Sequence, residues 1–447
     1  MALAAATAWL HQAGLDVRAC DLAVDRLPAD ALDGVTLVAV SLPMHTATRL
    51  ALPVVRALRQ RAPGLPICAF GLYAPLNEGR LRDEGVSLVL GPECETDLVT
   101  AARAAASPGA RAVVAPGPAA TPATAATSVA ALGRRRGSAT VPDRTKLPSL
   151  DRYARLQWPD GRQDVVGAVE STRGCKHRCR HCPIVPVYEG RFVAVPADTV
   201  LADIRWQVEQ GASHITFADP DFFNGPTHAT RIVEALHRTW PDLTYDATIK
   251  VEHLRVHDAL LPLLVETGCA FVTTAVESLD DRVLALLEKG HTRADVEAVA
   301  ARCQRLGLAL SPTFLAFTPW TTLDSYRQFL DDVDALGLVQ HVTPVQWTLR
   351  LLVTQRSRLL ELADIQAVMR RFDPATLTHP WTHPDPCVDA LQRDVMARAG
   401  LAQSEPREVT FRAIRALADE AAGRSGAVHP PLVARAAIPY LTEPWYC

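Results

Sequence analysis

Three cysteines packed into eight residues constrain this chain more than any other feature of its sequence. They lie in the segment Cys175-Lys-His-Arg-Cys179-Arg-His-Cys182, which has the spacing C-x3-C-x2-C. The remaining cysteines of the ten are scattered, namely Cys20, Cys68, Cys94, Cys269, Cys303, Cys387 and Cys447. This distribution does not match the evenly spread framework of a small disulfide-linked protein. The cluster therefore predicts a site where thiolates ligate a metal.

A short loop that carries three thiolates can wrap around one small inorganic cluster. Three ligands leave one iron of a [4Fe–4S] cluster without a protein ligand, which suits chemistry at that iron. The alternative is a structural zinc site, which requires four ligands. His177 or His181 could be the fourth, but both lie between the cysteines and neither completes a usual zinc-finger spacing. We expect both histidines on the surface of the loop.

Composition limits the class of protein further. The chain has 447 residues, of which 48% are hydrophobic and 21% charged, and this suits a folded protein of several domains. The net charge of −3 provides no basic field for nucleic acid, and the apolar runs are too short to span a bilayer. The N-terminus lacks the basic region of a signal peptide. These observations predict a cytoplasmic protein that binds neither nucleic acid nor a membrane.

Alternating strand and helix patterns predict an α/β fold. Residues 1–105 predict a doubly wound, Rossmann-like domain, and residues 106–150 predict an Ala- and Pro-rich linker that contains three consecutive arginines, 134–136. Residues 151–352 predict a partial (β/α)6 barrel, and residues 353–447 a helical C-terminal region. The barrel strands are predicted at 165–170, 214–218, 244–249, 271–276, 309–314 and 342–349.

The N-terminal pattern opens on a helix, although a doubly wound sheet normally opens on its central strand. Strands are predicted at 15–22, 35–41, 65–73 and 86–90. We therefore expect a sheet that lacks its usual first strand. Either the fold is unusual or the natural start lies upstream.

The cysteine motif, placed after a strand at the head of a six-fold β/α repeat, resembles that of the radical S-adenosylmethionine (radical SAM) superfamily. The resemblance covers residues 160–350. It implies that Cys175, Cys179 and Cys182 hold a [4Fe–4S] cluster and that SAM chelates the open iron. It also implies reductive cleavage of SAM to a 5′-deoxyadenosyl radical, which abstracts hydrogen from an unactivated position. A small-molecule or peptide substrate and an electron donor such as flavodoxin or ferredoxin are the implied partners.

The same resemblance implies contacts to SAM from the ends of the barrel strands. Asp219 and Asp221 take the place of an acidic motif that holds the SAM amino group, and Glu277-Ser278 is similar to a motif that meets the ribose or methionine part. Lys250 and Arg350 are further candidates at the mouth of the barrel. For Asp219 and Asp221 a helix cap or a turn is the alternative role, and for the Glu277-Ser278 motif it is a helix cap. For Lys250 and Arg350 the alternative is a surface ion pair.

A doubly wound domain before such a barrel resembles the cobalamin (B12)-binding subclass of the superfamily. The resemblance implies that a corrin lies at the strand ends, where the sequence has Ser41, Met44, His45, Gly71, Tyr73 and Gly91. The D-x-H-x-x-G motif that supplies a histidine to cobalt in many B12 proteins is missing. His45 is therefore expected to line or cap the pocket.

A narrower resemblance involves the segments 178–224 and 248–253 together with the last residues, Leu441-Thr-Glu-Pro-Trp-Tyr-Cys447. They are similar to radical SAM (seleno)proteins that end in Cys-Cys-Ala-Glu-Pro or Cys-selenocysteine-Ala-Glu-Pro. An unread selenocysteine codon after Cys447 would produce the ending seen here. A natural C-terminus that happens to end in cysteine is the alternative.

Three functions remain open at this point. The first is a radical SAM enzyme that also uses cobalamin, with methyl transfer as one reaction type. The second is a radical SAM enzyme without cobalamin. The third is a non-catalytic module that a zinc ion or an iron–sulfur cluster stabilises.

Overall fold

The computed structural model describes residues 1–107, 139–401, 405–424 and 426–442. Most of the predicted linker, with its three arginines, lies outside the described residues. The end of the predicted selenoprotein-like tail, including Cys447, also lies outside them. No helix within the described ranges is both long enough and apolar enough to cross a membrane.

The N-terminal unit is a small parallel sheet between two layers of helices. Its strands are β1 (Val38–Ser41), β2 (Ile67–Phe70) and β3 (Leu88–Val89), paired in the order β1-β2-β3. Its helices are α1 (Ala2–Gln12), α2 (His45–Arg61), α3 (Glu78–Asp83) and α4 (Glu95–Ala106). The alternation of side chains along β2 explains the two layers. Ile67 and Ala69 pack with α2, whereas Cys68 and Phe70 pack with α1 and α4.

This arrangement confirms the doubly wound fold, but the strand predicted at 15–22 is wrong. Those residues pair with no strand of the described sheet. The backbone turns at Asp21 instead, because its carbonyl oxygen accepts hydrogen bonds from the amides of Val24 and Asp25. Its side chain also accepts one from the amide of Ala23. A local Asx-type turn therefore replaces the end of the predicted strand.

The second unit is a curved sheet of seven strands. In chain order its elements and the hairpin attached to it are β4 (Arg155–Gln157), β5 (Gln163–Val169), β6 (Thr172–Gly174), α5 (Val185–Tyr188), β7 (Phe192–Ala194), α6 (Ala197–Glu209), β8 (His214–Phe217), α7 (Pro226–Thr239), β9 (Thr244–Thr248), α8 (Val251–Val256), α9 (Leu261–Glu266), β10 (Cys269–Glu277), α10 (Asp281–Leu286), α11 (Arg293–Leu306), β11 (Leu310–Phe314) and α12 (Leu323–Ala335). The strand order is β11-β10-β9-β8-β5-β4 and then β12 (Tyr440–Leu441). Five strands of this sheet are parallel, namely β5, β8, β9, β10 and β11, so their C-terminal ends lie at one edge of the sheet.

The helices begin where the sequence supplies capping groups. Asp280 caps α10, and Thr292 and Thr322 form capping boxes at the starts of α11 and α12. Gly307, with φ +70°, ends α11 in the left-handed conformation that glycine adopts without strain. These local signals explain where the three helices begin and where α11 ends.

The sixth predicted strand, 342–349, is wrong. Short 3-10 segments occupy the region, at Val339–His341 and Pro344–Trp347. A single parallel bridge between Phe317 and Arg350 marks the sixth position. Pro344 cannot donate to a ladder, and the Gln346 side chain accepts the hydrogen bond of the Phe314 amide at 2.8 Å instead. A glutamine side chain thus replaces strand pairing at this edge.

The C-terminal region is helical, with α13 (Ala363–Val368), α14 (Pro386–Gly400) and α15 (Arg407–Ala421). Phe411 and Ile414 of α15 join the main core between the sheet and its helices. Arg415, also on α15, forms ion pairs with Asp331 and Asp334 of α12. The C-terminal helices thus cover the side of the barrel where the sixth strand is reduced.

Candidate active site

The cysteine loop begins directly after β6 and lies in the connection between the two strands of the β6–β7 hairpin, beyond the C-terminal end of β5. Gly174, the last residue of β6, has φ +78°. A Cβ atom there would overlap the Tyr188 ring and would lie 2.6 Å from the carbonyl oxygen of Arg191. Only glycine fits this backbone and this space, so Gly174 fixes the point where the loop leaves the hairpin.

Side chains from two other segments hold the loop in place. Asn224, after β8, accepts a hydrogen bond from the Lys176 amide and donates one to the Gly174 carbonyl, each at 3.1 Å. On the other side, the Arg180 amide donates to the Leu287 carbonyl at 3.0 Å. Arg358 donates to the Arg178 carbonyl at 2.6 Å. The loop is therefore positioned before any ligand binds.

The three predicted cluster ligands lie together in this loop. Cys179 is buried, and Cys175 and Cys182 are partly buried. Burial raises the pKa of Cys175 to about 12 and that of Cys182 to about 11. Thiolate is the form that ligates metals, so such thiols need a bound cation to ionise. A buried loop with three thiols therefore fits an iron–sulfur cluster, which would provide that charge.

Asp219 supports the hairpin. Its carboxylate accepts hydrogen bonds from the Ser171 amide at 2.7 Å and from the Ser171 and Thr172 hydroxyls at 2.6 Å each. Burial nevertheless raises the pKa of Asp219 to about 7, against the effect of these donors. Both carboxylate oxygens are already used by the protein. The observed role matches the alternative stated above, a carboxylate that organises a turn.

Glu277 lies at the end of β10 in a backbone conformation that is uncommon for a non-glycine residue, with φ +68°. The pairing of β10 with β11 shifts register here, so the strand bulges and turns the side chain. Its Oε1 lies 3.1 Å from His181 Nε2 and 3.6 Å from Lys289 Nζ. Burial opposes ionisation, but Lys289 and then His181 outweigh it and lower the pKa of Glu277 to about 2. Ser278 instead accepts a hydrogen bond from the Asp280 amide at 3.0 Å, within its own turn.

A second group of charged side chains lies at the ends of β8 and β9. Lys250 Nζ donates to Glu252 Oε2 at 2.8 Å and lies 3.1 Å from His177 Nδ1. Asp221 Oδ2 lies 2.6 Å from His253 Nδ1 and 3.6 Å from His177 Nε2. Burial and then Lys250 lower the pKa of His177 to about 4. His177 and His181 thus turn toward the strand ends, and their predicted surface location is wrong.

Arg350 does not join either group. It pairs with Asp389 of α14 at 2.6 Å and donates to the Trp381 carbonyl at 2.9 Å. Its guanidinium also stacks 3.5 Å above the Trp381 ring. These contacts tie the reduced sixth strand to the C-terminal region. We therefore do not include Arg350 in the proposed SAM site.

The six residues predicted for cobalamin lie at the strand ends of the N-terminal sheet. The Ser41 hydroxyl is buried without a hydrogen-bond partner among the described residues. Gly71 has φ +108°, and a Cβ there would lie 3.0 Å from the Leu42 carbonyl oxygen. A Cβ at Gly91 would meet open space. Met44 and Tyr73 pack in the core of this unit.

His45 is occupied by another part of the chain. Its Nε2 lies 2.8 Å from the Thr376 carbonyl oxygen, a distance at which the ring donates a hydrogen bond. Burial lowers the pKa of His45, against the effect of the hydrogen bond to Thr376, and thus favours the neutral ring. A strand-end crevice with an unpaired hydroxyl and two glycines fits a bound corrin, but His45 is not free to ligate cobalt in this conformation. This agrees with the missing D-x-H-x-x-G motif.

Glu93 connects the N-terminal unit to the cysteine loop region. It accepts a hydrogen bond from the Tyr188 hydroxyl at 2.9 Å and pairs with Arg173 at 3.3 Å. Arg173 lies in β6, and Tyr188 ends α5 just after the third cysteine. The strand ends of the N-terminal sheet and the cysteine loop are therefore neighbours.

Several residues of this site escaped the sequence analysis. Asn224, Lys289 and His291 are each buried, and each follows a strand by way of a turn or helix. Lys289 carried one available signal, because it is one of only four lysines in the chain. Asn224 and His291 gave no such signal, because the residue type alone does not show that a side chain is buried.

The curved parallel sheet with a three-cysteine loop at its C-terminal edge is the arrangement expected of a radical SAM domain. Residues 169–333 match the family model described as the Radical SAM superfamily, so the chain contains a radical SAM domain. A [4Fe–4S] cluster and SAM are the cofactors of that domain class, and the chain is accordingly an enzyme.

Comparison with curated proteins gives matches to tRNA-2-methylthio-N(6)-dimethylallyladenosine synthases. The protein from Pseudoalteromonas atlantica is 25% identical over 215 residues, which cover 45% of this chain and 44% of the relative. The protein from Haemophilus influenzae is 24% identical over 208 residues, covering 44% and 43%. This chain thus aligns with less than half the length of these relatives.

Solved structures share the fold over a longer range. The cobalamin-dependent S-adenosylmethionine radical enzyme OxsB, with aqua-cobalamin and S-adenosylmethionine bound, superimposes with a TM-score of 0.65 at 11% identity. That match covers 94% of this chain and 70% of the OxsB chain. The radical S-adenosylmethionine methyltransferase TsrM from Kitasatospora setae gives 0.54 at 19% identity, covering 75% and 68%. At these identities the similarity establishes the fold.

Proposed function

We propose that this protein is a cobalamin-dependent radical SAM enzyme that modifies an unactivated position of a small-molecule substrate, with methyl transfer as the reaction type. The observation that carries the proposal is the placement of the cysteine loop against the strand ends of the N-terminal sheet, through Glu93. Two cofactor sites would then face one substrate space. The fold shared with OxsB over nearly the whole chain supports this arrangement.

The residues at the barrel edge divide into two roles. Cys175, Cys179 and Cys182 would hold the [4Fe–4S] cluster, which when reduced supplies one electron for the cleavage of SAM. Glu277 and Lys250 provide a fixed negative and a fixed positive charge beside the loop, and SAM carries both an ammonium and a carboxylate group. We include these two residues in the SAM site and assign Asp219 and Ser278 to the support of turns.

The N-terminal crevice would hold cobalamin, which supplies a methyl carrier when bound. Ser41 and Gly91 would face the corrin, because one offers an unpaired hydroxyl and the other leaves open space, whereas Gly71 allows the backbone to pass close to Leu42. His45 would remain bonded to Thr376, so cobalt would receive no histidine from this position.

Anaerobic reconstitution tests the proposal. We expect about four iron and four sulfide per chain, a bound corrinoid, and release of 5′-deoxyadenosine under strong reductant. Cys175→Ala should lose iron and SAM cleavage, whereas Cys387→Ala, which changes an exposed cysteine, should keep both. A loaded protein that leaves SAM intact would refute the radical SAM activity, and one that binds no corrinoid would refute the cobalamin part alone.

The match to tRNA-modifying enzymes favours a second candidate, modification of an RNA base. The match covers only 45% of this chain, and the net charge of −3 offers no general attraction to RNA. Binding of a mixed tRNA pool at low salt separates the two candidates. We expect no binding, and salt-dependent binding would favour the RNA substrate.

A further inference from the structure

Three side chains from three different segments converge beside the cysteine loop. His177 comes from the loop itself, Asp221 follows β8, and His253 lies in α8 after β9. One ligand atom of each lies within 4.8 Å of the other two. His177 Nε2 is 3.1 Å from His253 Nε2 and 3.6 Å from Asp221 Oδ2. None of these contacts involves a cysteine.

The contact between Asp221 and His253 is unusual for an acid beside a histidine. The side chains are only 2% and 4% exposed, and Asp221 Oδ2 lies 2.6 Å from His253 Nδ1. Neither atom makes a hydrogen bond to the other or to any other described group. A buried carboxylate oxygen without a hydrogen bond is costly, so such an oxygen normally has a cation or a donor. Asp221 Oδ2 and His253 Nδ1 are thus close together without a hydrogen bond between them. This arrangement is expected where both atoms bind the same metal ion.

The nearby lysine does not supply the missing partner. Lys250 Nζ is paired with Glu252 Oε2 at 2.8 Å, and no contact of its ammonium group with Asp221 occurs among the described residues. Glu252 Oε2 also lies 3.6 Å from His177 Nδ1, which is the ring nitrogen away from Asp221. The nearer neighbour of this nitrogen is Lys250 Nζ at 3.1 Å, so Lys250 and Glu252 together hold the His177 ring with Nε2 toward Asp221.

We propose that His177, Asp221 and His253 bind a divalent transition-metal ion of the Zn²⁺ or Fe²⁺ class, separate from the thiolate-bound cluster. Two imidazoles and one carboxylate are a ligand set that such ions prefer, and three protein ligands leave positions for water or substrate. Because His177 lies between Cys175 and Cys179, the ion would tie the cluster loop to the ends of two barrel strands. This site does not depend on cobalamin or on the reaction proposed above.

Zinc content of the cluster-loaded protein tests the proposal. The protein is reconstituted anaerobically, supplied with Zn²⁺ and desalted, and iron and zinc are then measured per chain. We expect one zinc in addition to the cluster iron in the wild type. His253→Ala and Asp221→Asn should lose this zinc with the iron unchanged. His257→Ala is the matched control, because His257 ends the same helix 5.6 Å from the His253 ring and should keep the zinc.

A variant with all three loop cysteines changed to alanine separates this site from adventitious binding by thiols. It should still bind one Zn²⁺, and Co²⁺ in its place should show d–d absorption bands without a thiolate-to-cobalt charge-transfer band. Retention of zinc by His253→Ala, or absence of zinc from both the wild type and the triple variant, would overturn the proposal.

The same oxygen of Asp221 could instead receive the ammonium group of SAM. In that case Asp221→Asn weakens SAM binding while zinc content is the same in the wild type and in all variants, and this pattern also overturns the metal site. Circular dichroism should show a cooperative unfolding transition for each variant. Such a transition establishes that the loss of zinc is measured on folded protein.

Discussion

Single residues at the cysteine loop carry functions that a sequence pattern does not reveal. Gly174 is the position where a side chain would collide with Tyr188 and Arg191. Glu277 was predicted as part of a two-residue motif, and the structure adds its buried partner Lys289. The predicted residue types were informative, whereas their partners depend on packing between distant segments.

Gly174→Ala should destabilise the protein by about 2–4 kcal/mol, since it combines overpacking with a left-handed backbone. Gly161→Ala is the control, because Gly161 has φ +90° and open space around its Cβ position. It should cost only about 1 kcal/mol. Urea unfolding measures both. Equal losses would show that the collision at Gly174 is relieved by movement of the Tyr188 ring.

Glu277→Gln should cost about 3 kcal/mol at neutral pH, because the Lys289 ammonium, only 3% exposed, would remain buried without its carboxylate. Glu288→Gln is the control, since Glu288 also has a positive φ but pairs with arginines at the surface. It should cost less than about 1 kcal/mol. Denaturant titration of both variants measures the difference, and similar losses would contradict a special role for Glu277.

The pH dependence of this pair follows from the lowered pKa of Glu277. The folded protein holds the pKa near 2, below the ordinary value of 4.5, so ionised Glu277 contributes stability that is fully present above about pH 4.5. That contribution is lost as the pH falls toward about 2. The difference between wild type and Glu277→Gln should therefore shrink over this range, and a constant difference would argue against the charge pair.

At the level of elements, the sequence predicted the positions of those strands that are marked by local patterns of apolar residues and turns. The five parallel strands β5, β8, β9, β10 and β11 all match their predicted positions within two residues, because continuous apolar runs bounded by turns are typical of buried strands. The two segments that were wrongly predicted as strands, 15–22 and 342–349, contain apolar residues but form no strand in the structure. Whether a strand pairs depends on its neighbours in space, and here Asp21 and Gln346 satisfy backbone groups instead.

The connection between β8 and the cysteine loop predicts a specific effect of Asn224. Asn224→Ala would leave the Lys176 amide and the Gly174 carbonyl without partners, at a cost of about 1–3 kcal/mol. We expect reconstituted protein to retain less iron per chain. Asn77→Ala removes a similar buried amide, bonded to the Tyr73 carbonyl in the N-terminal unit, and should leave iron content unchanged. Full iron retention by Asn224→Ala would contradict this role.

At the scale of the whole molecule, the C-terminal region completes the N-terminal unit. Leu377 is 1% exposed and packs in the same core as Leu42, Leu52 and Tyr73, although it lies more than 300 residues later in the chain. The bond from His45 to Thr376 lies beside it. No sequence pattern in residues 1–105 could indicate this, since the contacts come from a segment without regular structure.

Leu377→Ala should therefore destabilise the N-terminal unit by about 2–4 kcal/mol, as expected for a buried leucine. Leu401→Ala, at a leucine that is 77% exposed, should change stability by less than about 0.5 kcal/mol. Hydrogen exchange locates the effect, and we expect faster exchange in β1 and β2. Unchanged exchange in these strands would show that the N-terminal core does not depend on Leu377.

The position of Leu377 also has a consequence for biosynthesis. A ribosome makes the first hundred residues long before residue 377 leaves its exit tunnel. Until then the nascent N-terminal unit lacks one wall of its interior and exposes apolar surface there. A chaperone that shields this surface during translation would improve the yield of active protein.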